Sequence, residues 1–300
     1  MAARAVPRPL ERLPYGAGVH GQDEPPLDAE PVVVRDEPAL RVTVVPVGWV
    51  GVRRAHAEYA GPWALRYAAI GADRRWAPWL PVNVVVVEHA AGTLLVDTGE
   101  AVDQPPGHFG CGDRVQEWVY RRYLRLPVRA GLDAPSRLKA MGVDPGDVDT
   151  VVLTHLHGDH TGNLPAFPRA RVLAGPGEAG GYPGAITRRL DGRDLLAPRF
   201  DDGPVSMFDA SLALVDDGSI RAVPLPGHTV GHLGLVVDGP ACTVVAGDAA
   251  LTGDQLRRRA TPGIALDRAA GRRTSAALLR AAQQGARLVL SHDHPGEAAP

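Results

Sequence analysis

Residues 149–163 read DTVVLTHLHGDHTGN and combine an apolar run with four potential metal ligands. The apolar run is short and rich in β-branched residues, which predicts a buried strand that ends where the ligands begin. If the extended geometry persists to His157, alternation of side chains places it on the same side as His155, within reach of one ion. A glycine then allows the sharp turn that leads to Asp159 and His160.

Ordinary loop residues with solvent hydrogen bonds are the alternative interpretation of this segment. A single histidine in a loop is typical of that case, but three histidines and one aspartate within six residues at a strand end favour a metal site. Asp159 and His160 are adjacent and diverge after the turn. They therefore suit either a second ion or one ion and a catalytic proton carrier.

Five motifs along the chain together resemble the signature of the metallo-β-lactamase superfamily. The resemblance covers roughly residues 41–296 and implies an α/β fold, an αββα sandwich of two mixed sheets with outer helices. Strand and helix patterns repeated in both halves of the chain fit that architecture. The motifs are Leu94-Leu95-Val96-Asp97-Thr98-Gly99, His155-x-His157-x-Asp159-His160, Pro226-Gly227-His228-Thr229-Val230-Gly231-His232, Val245-Ala246-Gly247-Asp248 and Leu288-Val289-Leu290-Ser291-His292-Asp293.

The same resemblance implies seven ligands for two divalent metal ions. Nitrogen and oxygen ligands without thiolate suit Zn²⁺, the favoured ion, and also Mn²⁺, Fe²⁺ or Co²⁺. Asp97 is expected to orient a ligand by hydrogen bonding. The ligands are His155, His157 and His228 for one ion, Asp159, His160 and His292 for the other, and Asp248 as the bridge.

The implied chemistry is hydrolysis. Two ions about 3.5–4 Å apart share a water, lower its pKa and present hydroxide to a carbonyl. Asp159 and Asp248 are the catalytic candidates, and Asp159 is expected to pass the proton to the leaving group. The spacing from His228 to Asp248 and the ending Ser291-His292-Asp293 resemble the N-acyl homoserine lactonase branch. We therefore expect a lactone, or another ester of a small apolar molecule, as substrate.

Several points stay open in the sequence. The lactonases typically carry a tyrosine three residues after the bridging aspartate, where this chain has Leu251, so another group or the metal alone must assist the leaving alkoxide. His294 competes with His292 as the last ligand, and His232 is expected only to support the site. The alternative functions are a mononuclear iron persulfide dioxygenase and an organophosphate or phosphodiester hydrolase.

Composition restricts the partners of this protein. The chain has 300 residues, 45% hydrophobic content and a net charge of −2, with no basic stretch that favours nucleic acid. No segment approaches the ~20 apolar residues that span a bilayer, and the start lacks an apolar signal region. We expect a cytoplasmic enzyme with a small-molecule substrate. The candidate protein partner is a second copy of the chain, in a homodimer.

Residues 1–40 carry seven prolines among mixed charges and predict an arm that lies on the domain or is partly disordered. Residues 41–300 are predicted to form one metallo-β-lactamase-like domain. Residues 48–82 form an aromatic-rich insert, whose rings pack its own small core, line an apolar pocket or form a subunit interface. His56 and His108 receive no role beyond surface or hydrogen-bonding contacts.

Hydrophobic periodicity and caps place the regular elements. The first strand is expected at 41–47 and a hairpin at 83–88 and 93–96. The Gly/Pro-rich segment 175–184 is either a flexible loop near the site or an ordinary surface loop. Helices are expected at 113–126, 133–141 and 273–284, and further strands at 171–174, 211–215, 220–223, 233–237, 242–246 and 287–290.

Overall fold

A computed structural model describes residues 25–26, 29–193, 195–239 and 242–295. In this part of the chain two β-sheets are present. The first sheet has eight strands: β1 (Val32–Glu37), β2 (Leu40–Val52), β3 (Leu80–His89), β4 (Gly92–Val96), β5 (Leu124–Arg125), β6 (Thr150–Leu153), β7 (Arg171–Ala174) and β8 (Leu195–Leu196). The second has five: β9 (Leu212–Ala213), β10 (Ile220–Pro224), β11 (Leu233–Val237), β12 (Thr243–Gly247) and β13 (Arg287–Leu290).

Seven α-helices accompany the sheets in the described residues. Helix α4 packs on the outer face of the first sheet through Leu138, and α6 and α7 pack on the outer face of the second sheet through Leu256 and Leu278. The helices are α1 (Arg54–Ala57), α2 (Arg66–Ala72), α3 (Arg114–Tyr123), α4 (Ala134–Ala140), α5 (Gly158–Thr161), α6 (Gly253–Arg257) and α7 (Arg268–Gln283).

Strand order explains why the ligands meet. The first sheet runs β1-β2-β3-β4-β6-β7-β8, and β6 is parallel to both β4 and β7. In the second sheet β12 is parallel to β13. Since the carboxyl ends of parallel strands lie at one edge of a sheet, the residues that follow β4, β6, β12 and β13 share the same end of the molecule.

The core between the sheets is made of alternate residues of facing strands. Val42 and Val44 of β2 point to the second sheet, while Val45 and Val47 point to the outer layer. Burial of both faces of the central strands accounts for their almost continuous valine content. The two stacked sheets with outer helices confirm the predicted αββα sandwich. Inter-sheet contacts are made by Val85, Val87, Leu94, Val96, Val152, Leu173, Ile220, Leu233, Leu235, Val237, Val245 and Val289.

The predicted elements are found, with several corrections of extent. Strand β1 lies within residues 1–40 and pairs antiparallel with β2, so the strand expected first at 41–47 is the second. Strand β2 continues to Val52 because it pairs with both β3 and β5, which shortens the loop-rich insert to residues 53–79. Helix α7 begins at Arg268, since the Asp267 carboxylate caps the amides of residues 269 and 270.

Two further findings concern the predicted N-terminal arm and the search for membrane-spanning helices. Residues 1–24 of the predicted arm lie outside the described residues, so that prediction stays open for them. Among the described residues, no helix is long and apolar enough to cross a membrane.

Candidate metal centre

Five segments bring all seven predicted ligands to one end of the sandwich, where the two sheets meet. Each ligand follows a strand or lies in the short helix after one, so the strands of the core fix its position. The placements are His155 and His157 after β6, Asp159 and His160 in α5, His228 between β10 and β11, Asp248 after β12 and His292 after β13.

The first group of donors consists of three imidazoles. His155 Nε2 lies 2.8 Å from His157 Nδ1, and His228 Nε2 lies 3.1 Å from the same atom. Ligand atoms of one zinc ion lie about 3–4 Å apart, because each is about 2.0–2.1 Å from the ion. The three nitrogens therefore face a common point.

The second group consists of Asp159, His160 and His292. His160 Nε2 lies 3.8 Å from Asp159 Oδ1, and His292 Nε2 lies 3.5 Å from Asp159 Oδ2. Asp248 lies between the groups, with Oδ2 3.6 Å from His228 Nε2 and 3.3 Å from His292 Nε2. Its carboxylate therefore lies close to a donor of each group.

Unpaired buried atoms test whether these residues fit a metal. His160 Nε2 and Asp248 Oδ1 are buried and have no hydrogen-bond partner among the described residues. Such atoms are costly unless a ligand satisfies them. Both belong to a cluster of nitrogen and oxygen donors without thiolate, whose atoms lie within 4.8 Å of one another in each group. The residues present therefore fit divalent metal ions.

Electrostatics agree with a cationic occupant. Burial opposes charge on His160, but Asp97, Asp248 and Asp159 outweigh it and raise the pKa of its imidazole well above the ordinary value. Burial also opposes ionisation of Asp248, yet His292 and His160 hold the pKa of this carboxyl well below its usual range. The buried carboxylates of Asp97, Asp159 and Asp248 are therefore stabilised by positive charge, which a metal ion would supply.

Asp97 supports the site in the predicted way. It follows β4 with a φ of 60°, and its carboxylate accepts hydrogen bonds from the Thr154 backbone amide at 2.8 Å and from the Thr154 hydroxyl. Its Oδ2 also lies 2.8 Å from His160 Nδ1, which leaves His160 Nε2 directed to the cluster. Such a contact fixes the tautomer and orientation of a ligand.

The structure also shows what His292, His294 and His232 contact. His292 Nδ1 donates to the Pro81 carbonyl at 2.7 Å and its Nε2 faces the donors, whereas His294 makes an edge contact with Trp49 and belongs to neither donor group. His232 Nε2 accepts a hydrogen bond from the Asp248 amide at 3.1 Å. It holds the backbone of the bridging residue, the supporting position expected for it.

Glu178 joins the two histidine loops, and sequence reasoning did not identify it. This fully buried carboxylate accepts from the Thr229 hydroxyl at 2.6 Å and the Gly231 amide at 3.0 Å, beside His228. It also accepts from the Tyr182 hydroxyl at 2.5 Å, and that hydroxyl accepts from the Leu156 amide, between the two histidines of the first motif. Burial raises the pKa of Glu178. A lone glutamate in the segment 175–184 carries no motif that could have revealed it.

A cavity of about 360 Å³ opens onto the donor cluster. One end is formed by His157, Asp159, His228, Asp248 and His292, and the rest is mainly apolar. Among the rings of the insert, Tyr67 lines the cavity, whereas Trp76 stacks on Arg53 and Arg125. Tyr120 and Tyr123 of α3 line the cavity as well. The apolar wall is contributed by Val50, Val52, Ile70, Leu80, Val119, Leu124, Leu251 and Ile264.

Residues 77–294 match the family described as the Metallo-beta-lactamase superfamily. This chain belongs to the metallo-β-lactamase superfamily. Within the superfamily it is similar to the N-acyl homoserine lactonase AttM of Azorhizobium caulinodans, with 32% identity over 232 residues that cover 71% of this chain and 82% of the relative. A probable metallo-hydrolase of Mycobacterium tuberculosis is 30% identical over 179 residues, 56% of each chain.

Solved structures of the superfamily agree on the fold. An N-acyl homoserine lactone hydrolase with the product N-hexanoyl-L-homoserine at its catalytic metal centre has a TM-score of 0.63 and 17% identity, covering 84% of this chain and 92% of that one. The dizinc quorum-quenching lactonase AidC has a TM-score of 0.59 and 14% identity, covering 90% and 92%. The family, the similar lactonases and the donor cluster show that this chain is a metal-dependent hydrolase. It is most similar to the N-acyl homoserine lactonase branch.

Proposed function

We propose that this hydrolase opens N-acyl homoserine lactones and holds two zinc ions. Two relatives that are 32% and 31% identical over 82% of their length are N-acyl homoserine lactonases. The observation that carries the proposal is the cavity, which joins a mainly apolar wall to the donor cluster. Its volume of about 360 Å³ suits a small ligand. An acyl chain would contact the apolar wall while the lactone ring faces the donors.

The two donor groups support two ions rather than one. His155, His157 and His228 form one complete set of three donors, and a second set of three stands beside it with Asp248 between them. When bound, such a metal pair polarises a carbonyl oxygen and lowers the pKa of water toward neutrality. Zinc suits the nitrogen-rich donor set.

The side chains of this protein supply the proton transfer in the proposed reaction. Hydrolysis adds the oxygen of water to the lactone carbonyl carbon, breaks the ring C–O bond and leaves a proton to be moved to the departing alkoxide. The Asp159 carboxylate lines the cavity, and we assign it that transfer. Asp248 would help to hold both ions, since it lies close to a donor of each group, and the apolar wall would exclude water from the substrate.

A pH-indicator assay on a panel of acyl homoserine lactones, run beside elemental analysis, tests the proposal. We expect about two ions per chain and acid release that depends on acyl length. Asp248→Asn should lose at least about 1,000-fold in kcat/KM, because the bridging carboxylate is removed. His89→Ala is a suitable control, since His89 pairs with Asp217 at the far end of β3. Fully loaded wild type that opens no lactone would refute the proposal.

A mononuclear iron dioxygenase is the competing hypothesis, and the structure offers an observation against it. One iron needs only one donor group, but the second group of Asp159, His160 and His292 is complete and buried. One iron per chain, together with oxygen consumption on glutathione persulfide and no acid release, would reverse this choice. An aryl phosphotriester in the same panel tests the organophosphate alternative.

A further inference from the structure

His56 lies in α1, in the insert between β2 and β3, and its side chain lines the same cavity as Asp159, Asp248 and His292. No donor group includes it. It is therefore a polar group at the cavity that lies outside both donor groups, in a segment that contains no proposed ligand.

Backbone contacts with the second half of the chain fix the position of α1. The His56 carbonyl accepts a hydrogen bond from the Gly263 amide at 2.8 Å. Gly263 approaches so closely that a Cβ there would lie 1.9 Å from the Ala55 carbonyl oxygen. Only glycine permits that approach.

The segment that follows Asp248 holds α1 from another side. Gln255 is buried, and its Oε1 accepts from the Leu251 amide at 2.8 Å while its Nε2 donates to the Ala57 carbonyl at 2.7 Å. One side chain thus ties the residue after His56 to the loop after the proposed bridging aspartate. Leu251 itself lines the cavity with a side chain that has no polar atom.

The His56 imidazole is available to a ligand. It makes no hydrogen bond to another side chain or carbonyl in the described parts of the chain, and it is not fully buried. By contrast, the Tyr120 hydroxyl on the same wall already donates to the Gly184 carbonyl at 2.6 Å and accepts from the Gly158 amide at 3.0 Å. Of these two groups, the His56 imidazole is the one that is free to bind a substrate oxygen.

Its protonation state suits a hydrogen-bond donor. Burial lowers the pKa of His56 to about 4. The imidazoles of His157 and His292 lower this pKa as well, while the carboxylates of Asp159 and Asp248 raise it. Cations in the donor cluster would lower this pKa further. At neutral pH the ring is therefore uncharged, with one N–H to donate.

We propose that His56 is a catalytic residue whose neutral imidazole N–H donates a hydrogen bond to the leaving oxygen of the bound ester. The inference rests on the proposed lactone hydrolysis and adds a role to it. As the ring C–O bond breaks, negative charge develops on that oxygen, and the hydrogen bond strengthens with it. The proton itself comes from Asp159, so His56 is neither protonated nor deprotonated. A fixed donor of this kind contributes about 10²–10³-fold to kcat.

The leaving group distinguishes this role from a structural one. Opening of a lactone releases an alkoxide, on which charge builds up strongly, whereas a 4-nitrophenyl ester releases a stabilised aryloxide that needs little help. His56→Ala should therefore lower kcat for hexanoyl homoserine lactone about 100-fold and kcat for 4-nitrophenyl butyrate by less than about threefold. His56→Gln, which keeps an N–H donor, should recover part of the loss.

The experiment compares zinc-loaded wild type, His56→Ala, His56→Gln and the control His89→Ala on both substrates, with zinc content measured for each. Unchanged zinc content and a selective loss on the lactone would support the proposal. Equal losses on both substrates, no loss on either, or loss of zinc would overturn it. Wild type that opens no lactone would instead refute the proposed function, and this inference with it.

Discussion

Replacement of Glu178 by alanine tests whether one buried carboxylate holds two histidine loops together. The variant leaves three donors without their acceptor: the hydroxyls of Thr229 and Tyr182 and the amide of Gly231. Hydrogen bonds to a charged group contribute about 1.5–3 kcal/mol each. The gross loss is therefore roughly 4.5–9 kcal/mol, before the cost of burying the charge is considered.

Burial raises the pKa of Glu178, so keeping the carboxylate charged in the interior offsets part of that gain. We expect a net loss of about 3 kcal/mol in the free energy of unfolding, the lower end of the range for an interrupted buried charge network. This corresponds to a fall of about 6 °C in Tm. Glu178→Gln keeps one acceptor oxygen and should lie between wild type and Glu178→Ala.

The effect on metal binding is the more specific result. Tyr182 leads from Glu178 to the Leu156 amide, and Thr229 follows His228 directly, so the variant loosens both loops of the first donor group. Loss of such outer contacts typically lowers metal affinity 10–100-fold. We would measure it by competition with a fluorescent zinc chelator, and unfolding by urea titration of the metal-free protein.

Glu37→Ala is the matched control, because Glu37 is a partly exposed carboxylate whose pair with Arg35 lies far from the donors. The buried Arg35 guanidinium keeps its hydrogen bonds to the carbonyls of Val237 and Asp238 when Glu37 is lost, so this variant should keep its zinc affinity. Zinc affinity of Glu178→Ala within about threefold of wild type, or equal stability of Glu178→Ala and Glu37→Ala, would contradict the role assigned to Glu178.

Three further predictions concern the donor cluster. Asp97→Asn leaves His160 Nδ1 without its charged acceptor, and elemental analysis after dialysis should show one of two ions bound 10–100-fold more weakly; retention of both ions would contradict this. His292→Ala should lose one ion while His294→Ala keeps both, since only His292 faces the donors; equal metal content in the two variants would exclude that assignment. Gly184→Ala introduces a Cβ 3.1 Å from a metal-site imidazole at a φ of +92°, and urea titration should show a loss of about 1–3 kcal/mol, with an unchanged midpoint as the contrary result.

The donor cluster was predictable because its residues follow strands. Val151 to Leu153 specify a buried strand through their β-branched, apolar pattern, and position 155 then comes at its end. The turn after position 157 and the strand β12 before Asp248 carry equally local signals. The structure brings together every residue that these motifs selected, whereas metal binding by them stays a prediction.

Residues that act across the chain were not predictable. Glu178 is recognisable only when the loops around positions 156 and 229 are adjacent, and this adjacency is a consequence of sheet packing rather than of any local pattern. Strand β1 was missed because only three apolar residues precede its charged end, and its pairing with β2 supplies the stability that its own sequence lacks. A homodimer stays a prediction from the sequence, since no local pattern specifies a partner surface.

Both donor groups combine residues that follow strands of both sheets. The first combines His155 and His157 with His228, and the second combines Asp159 with His292 from the last strand. Neither sheet therefore carries a complete site, and each ion would cross-link the ends of the two sheets. The apolar core aligns those ends before any ion binds, because the inter-sheet valines and leucines are buried without reference to the donors. Hydrophobic packing thus sets the positions at which the histidines converge, and the histidines in turn account for the unpaired atoms that a metal would satisfy.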